Sequence, residues 1–188
     1  MSTFVNDLRL EEIGTGEASG TWGTKTNVNL ELIAEAMGHG TEAIDNASTH
    51  TITMQDAVSD EFRCNFLRLT GGGQACTVTL APNTLSHTWI MRNETNSTLT
   101  FTQGSGASVT ITAGQTKVIS TDGAGSGAVV YEMDDLELAN NLNVGGNVDV
   151  DGTLETDALS INSTTVTSTA AELNILDGVT STAAELNI

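Results

Sequence analysis

CTVTLAPNTLSHTWIMRNETNSTLTFTQGSGASVTITAGQTKVISTDG, from Cys76 to Gly123, is the stretch that decides the fold class. Apolar and polar residues alternate in the short runs CTVTLA, HTWIMRN, STLTFTQ, SVTITA and TKVIST, which are parted by PNTLS, ETN, GSGA and GQ. A period of two belongs to a strand with one face in a core, and Gly, Asn, Asp and Ser make the turns. The alternation extends back through THTITM and EFRCNFLRL and forward to AVVYEM, so the strand-rich region spans 48–133. Short strands at close spacing with such turns predict a mainly β chain built on a small antiparallel β-sandwich, jelly-roll-like. Alternation nominates Phe62, Cys64, Phe66, Val78, Leu80, Leu99, Phe101, Val109 and Ile111 as the inward row, with Trp89 and Tyr131 closing the core.

Upstream, residues 1–47 form a Gly-rich arm followed by the clearest helix pattern, NVNLELIAEAM, Asn27 to Met37. Thr26 or Asn27 is the expected N-cap and Gly38 the stop. On a helical wheel Glu31 and Glu35 share one narrow face, while Val28, Leu30, Leu32, Ile33, Ala34, Ala36 and Met37 cover most of the rest. A helix apolar around most of its circumference is expected to be covered on several sides. In a chain with few large apolar residues, that cover is expected from other copies or from a partner.

Downstream the spacing changes to six. Leu136, Leu142, Val148 and Leu154 recur at that interval, and Leu138, Val144 and Val150 follow the first three by two residues. Gly146 and Gly152 hold equivalent places in the register. Hexads of this kind are a β-helix or fibre-shaft signature, and they define the region 134–166. Four hexads are too few for one chain to bury its own core as a solenoid. Three parallel chains around one axis, each giving its Leu and Val row, are the economical arrangement, so a homotrimer is expected. From 167 to 188 the sequence reads TSTAAELNILDGV and then TSTAAELNI. Thr169 and Glu172 have the spacing of a capping box, and Asp177-Gly178 forms a helix stop. The repeat is expected to be a length module, with its second copy truncated and the polypeptide continuing beyond Ile188.

Charge narrows the function classes. The net charge is −18, and all six Lys and Arg residues lie in the first 117 positions, with 12 acids there and 12 more in the last 71. Such a chain repels phosphate backbones and anionic membranes, which argues against nucleic-acid partners and membrane insertion. No apolar run approaches transmembrane length, and the N-terminus lacks the pattern of a secretory signal, so assembly in a cytoplasm is expected. Cys64 and Cys76 do not make a disulfide framework and are expected to be free, half-buried thiols.

No pattern for chemistry emerges. His39, His50 and His87 are scattered without a zinc-ligand spacing, and each is expected to be satisfied by water or backbone. GTGEASG, at Gly14 to Gly20, lacks the Lys-Ser/Thr of a phosphate loop, and no nucleophile elbow is present. Asp149, Asp151, Glu155 and Asp157 fall at outward positions of the hexads and read as a solvated face rather than a calcium site or a glycosidase pair. No cofactor, no metal and no catalytic residue are expected.

The stretch IGTGEASGTWGTKTNVNLELIAEAM, Ile13 to Met37, resembles the N-terminal segment of bacteriophage tail-fibre proteins. Cys76–Gly123 looks like the β-domain that follows in those fibres, and LNVGGNVDVDGT looks like their shaft repeats. The tandem TSTAAELNILDGV is similar to repeats in fibres of marine phages, particularly those of cyanobacteria. The resemblance covers nearly the whole chain. It implies a trimeric, non-enzymatic virion protein that joins the tail adaptor and nozzle to a shaft. A distal tip, beyond these residues, would recognise a host surface receptor. It assigns Gly20, Thr21, Trp22, Gly23, Asn27 and Asn29, with Leu30, Leu32, Ile33 and Met37 on the helix, to tail attachment and trimer contact. Trp22 is the leading anchor, with folding back onto the trimer's own helices as its alternative. Leu136, Leu138, Leu142, Val144, Val148, Val150 and Leu154 are the expected trimer core of the shaft. Two other readings of the chain are an enzyme, a tailspike whose depolymerase domain would follow residue 188, and a bacterial surface adhesin.

Overall fold

The computed structural model describes residues 1–134, 138 and 142–175. The chain divides into two compact units, Met1–Glu137 and Leu138–Ile188. The first opens with a short arm and one helix, α1 (Trp22–Ala36), and continues as a two-sheet β-structure. From β1 (His39–Ile44) the chain crosses to the other sheet for β2 (Thr49–Thr53) and returns for β3 (Phe66–Gly71). It crosses again to β4 (Cys76–Ala81), returns for β5 (Thr88–Asn93) and crosses once more to β6 (Leu99–Thr102). It then stays for β7 (Val109–Ile111) before finishing with β8 (Thr116–Thr121) and β9 (Val130–Glu132). The sheets are ordered β1-β3-β5-β8-β9 and β2-β4-β6-β7.

This path corrects the expected antiparallel sandwich. Because the chain changes sheet after each of the first five strands, neighbours within a sheet run the same way. The pairs β1–β3, β3–β5, β2–β4 and β4–β6 are parallel, and only β5–β8, β8–β9 and β6–β7 are antiparallel. The result is a flattened parallel winding closed at one end by antiparallel strands. Parallel neighbours need a long crossover, and here each crossover contains a strand of the opposite sheet. Alternation reports which face of a strand is buried, and it is the same for both pairing senses.

The core lies between the sheets. Val78, Leu80, Leu99, Phe101 and Ile111 are buried as expected, with Val109 at their edge. Trp89 is fully buried, its Nε1–H donating to the Phe62 carbonyl at 2.7 Å and its ring stacked on Phe62 at 4.6 Å. Two inward assignments change. EFRCNFLRL is not one strand: a 3-10 turn at Glu61–Arg63, capped by Asp60, precedes a strand that starts at Phe66. Phe62 and Cys64 are buried, but the turn breaks the period of two. Leu67 and Leu69 therefore face inward and Phe66 lies on the outer face; a one-residue slip exchanges the faces of a strand. Tyr131 likewise faces out, because Val130 takes the inward position of β9.

The sheet also begins before residue 48. HGTEAI forms β1, although Ile44 is its one buried large apolar residue. A side chain at position 40 would collide with the Glu61 carbonyl oxygen, so Gly40 lets the 3-10 turn pack directly on the strand. Helix α1 starts at Trp22, five residues before Asn27. Thr21 is the N-cap position without a side-chain cap, and Gly20, at φ +79°, turns the chain into the helix. The helix ends as expected at Gly38, whose N–H bonds to the Glu35 carbonyl. Its first turns hold Gly23, Thr24 and Thr26, poor helix formers that hid them in the sequence. Both cysteines are free and fully buried rather than half-buried.

In the second unit no strand occurs among the described residues 142–159. A two-residue turn at Asn162-Ser163, both at positive φ, joins the short strands β10 (Ser160–Ile161) and β11 (Thr164–Thr165), as expected of a tight hairpin. Helix α2 (Ala170–Ile175) follows. The capping box is formed: the Glu172 N–H donates to Thr169 Oγ1 at 3.2 Å, and the Thr169 N–H donates to the Glu172 carboxylate at 2.8 Å. Leu136 and the second repeat copy, 180–188, lie outside the described residues.

Candidate interaction surfaces

Helix α1 has two working faces. Leu32 and Ala36 are buried against the β-unit, and Glu35 accepts the Asp60 N–H at 2.8 Å. On the same side, Asn29 acts as a staple to the arm. Its Nδ2 donates to the Glu11 carbonyl at 2.9 Å and its Oδ1 accepts the Glu11 N–H at 3.0 Å, copying a backbone pairing with a side-chain amide. Lys25 pairs with the Glu11 carboxylate beside it. The other face carries Trp22, Leu30, Ile33 and Met37, exposed by 64, 59, 42 and 79%. The intervals 30–33–37 follow one side of a helix, and Trp22 stands about three turns before Ile33 on that side. Gly20, Thr21, Gly23 and Asn27 are also exposed.

The ten residues read as one attachment group thus divide. Asn29 and Leu32 are turned to the chain's own arm and core, while the four large apolar residues form one stripe that is unpartnered among the described residues.

The arm to which α1 is stapled is itself tied to the β-unit by Arg63. Arg63 is fully buried, and its guanidinium donates to the carbonyls of Leu8, Val58 and Gln55 and to Asp60 Oδ2, at 2.7–3.0 Å. A buried charge persists only when paired and hydrogen-bonded, and here the pairing clamps the arm to the β-unit. Around it, Arg9 pairs with Asp56 at 2.7 Å, the Ala57 N–H donates to the Arg9 carbonyl at 2.8 Å, and the Ser86 N–H donates to Asp7 at 3.0 Å. The available signal was the spacing Asp60-x-x-Arg63 with Arg63 between Phe62 and Cys64.

The titratable groups are arranged for packing. Burial pushes the Cys64 and Cys76 thiols up, which suppresses the reactive thiolate. His87 lies edge-on to Trp89 at 4.6 Å, and burial lowers its pKa, favouring the neutral ring. His50 Nδ1 is 2.9 Å from Asp45 Oδ2, and its Nε2 is 3.5 Å from Glu42, whose carboxyl is pushed up by burial. Nε2 of His50 and of His87 has no hydrogen-bond partner among the described residues. His39 stacks on Phe66 at 5.4 Å. Among the described residues no three His, Cys, Asp or Glu side chains are grouped to hold a metal ion. No described helix is long and apolar enough to cross a membrane.

In the second unit the hexad residues are open. Leu142, Val148 and Leu154 are 67–69% exposed, and Leu138, Val144 and Val150 are 42–47% exposed. No family model, no curated protein and no solved structure matches this chain.

Proposed function

We propose that this chain is a structural, non-enzymatic component of a bacteriophage tail fibre, working as a homotrimer in the virion tail. Its N-terminal unit attaches the fibre to the tail's adaptor and nozzle, and the hexad segment starts the shaft that leads towards the host receptor. One observation carries the reading: six regularly spaced Leu and Val side chains of the second unit stay exposed in the single chain. A fully buried side chain of this kind contributes about 1.5–3 kcal/mol. Association costs roughly 4–15 kcal/mol in lost freedom. Six such residues per chain therefore reach the scale at which three copies hold together.

The Trp22, Leu30, Ile33 and Met37 stripe supports a second contact, with the tail or with the other copies. Aromatic anchors in partner pockets dominate many interfaces. Multiple fibres would then act by avidity, raising effective concentration at the cell surface. The test is immunogold labelling of purified virions with antibody raised against residues 1–188. Gold on the tail-proximal fibres is expected, and label on the head alone or on none of the particles contradicts the reading.

A further inference from the structure

The two outer faces of the β-unit differ in kind. On the four-stranded sheet the outward residues form hydroxyl rows, Thr49–Thr77–Thr100–Thr110 and Thr51–Thr79–Thr102, each in register across the strands. Thr on an outer strand face is a solvated surface. On the five-stranded sheet the corresponding line is apolar. Phe66 is in register with Ile90 and Ile90 with Val118, and the Met133 N–H donates to the Val118 carbonyl at 3.0 Å, extending the line past β9. Tyr131 lies beside it, opposite Ser120. Tyr131 is 54% and Met133 64% exposed, and a shallow groove runs between them and Val118.

We propose that this outer face packs against the same region of second copies of the chain. The inference rests on the trimeric reading above and extends it from the shaft to the β-unit. Two observations select a second copy as the occupant. Met133 directly follows β9, and Leu138, the first described apolar residue of the hexads, is five positions on. Five residues reach at most about 17 Å, so in chains joined at the row each β9 strand ends close to it.

Charge is the second. In a chain of 24 acids, no Asp or Glu lies at an outward position of the described strands of this sheet. The line next to the apolar one reads Thr41–Arg68–Arg92–Thr116, with Arg68 paired to Glu94. Copies with a net charge of −18 repel over most of their surface. Glu94 beside this face is paired with Arg68, and Glu132 at the groove with Lys117. The face can therefore approach another copy without setting unpaired carboxylates opposite each other.

Short bis-maleimide cross-linking of variants that each carry one added cysteine in the full 1–188 chain tests it, since the native thiols are buried. Met133→Cys and Val144→Cys are both expected to give covalent dimers, while Thr79→Cys, on the hydroxyl face, remains uncross-linked. Cross-linking through Val144→Cys without Met133→Cys, or through Thr79→Cys instead, overturns this inference and leaves the trimeric reading standing. Cross-linking at none of the three sites, together with a single-chain mass for the unmodified protein, overturns both.

Discussion

Leu80 and Leu142 both sit in alternating apolar sequence, yet Leu80 is fully buried and Leu142 is 69% exposed. The difference lies in the path of the chain. Residues 39–121 return to the same two sheets several times, so each strand finds neighbours and an opposite sheet within the one polypeptide. Residues 142–154 pair with nothing described. The same local pattern is therefore self-sufficient in one unit and incomplete in the other. The proposed trimer would supply the cover that the described residues do not.

The comparison can be broken at its strongest point first. Arg63→Met leaves Asp60 buried beside three carbonyls that have lost their donor, and breaking a buried pair costs about 3–5 kcal/mol. Urea unfolding followed by Trp fluorescence should show that loss and should also free the arm to proteolysis; an unchanged midpoint removes Arg63 as the clamp. Next, Leu80→Ala should cost about 2–5 kcal/mol at every protein concentration. Leu142→Ser should leave that unfolding transition in place and instead make the oligomer come apart on dilution. Equal effects of the two substitutions on the β-unit would erase the distinction between the units.

A smaller effect sharpens the role of α1. Asn29→Ala removes both hydrogen bonds to Glu11 and should cost about 1–3 kcal/mol. Hydrogen exchange should rise in residues 1–12 and in the first turns of the helix, with the β-strands unaffected; protection unchanged in the arm would contradict the staple.

The smallest effect is a pH dependence. Burial raises the Glu42 pKa, so this group favours the folded state most when protonated, below its ordinary value of about 4.3. That contribution is lost as pH rises through the raised value. Glu42→Gln should therefore gain stability over wild type across that window and keep the gain at pH 7. A difference that is the same at pH 4 and pH 7 would show that Glu42 is not perturbed in the folded chain.

Much of the first unit was legible. CTVTLA and TKVIST are β4 and β8 to the residue, because turns with distinctive residues bound them on both sides. Parallel pairing was not legible, since alternation carries no information about the direction of a neighbour. Phe66 was misplaced because three residues of 3-10 turn shifted the phase, and β1 was missed because it buries a single large apolar residue. The capping box at Thr169 was readable because its two partners are three residues apart. At the candidate site, the apolar character of α1 was visible in the sequence. Its division into a stapled face and an open face was not, because Asn29 and Arg63 find their partners in the arm, far away in sequence.

Light scattering of the 1–188 chain after size-exclusion chromatography tests the central claim most directly. A mass three times that of the 19.5 kDa chain is expected, falling on dilution for Leu142→Ser. A 19.5 kDa species at every concentration would contradict it, because the exposed Leu and Val row would then need no second chain.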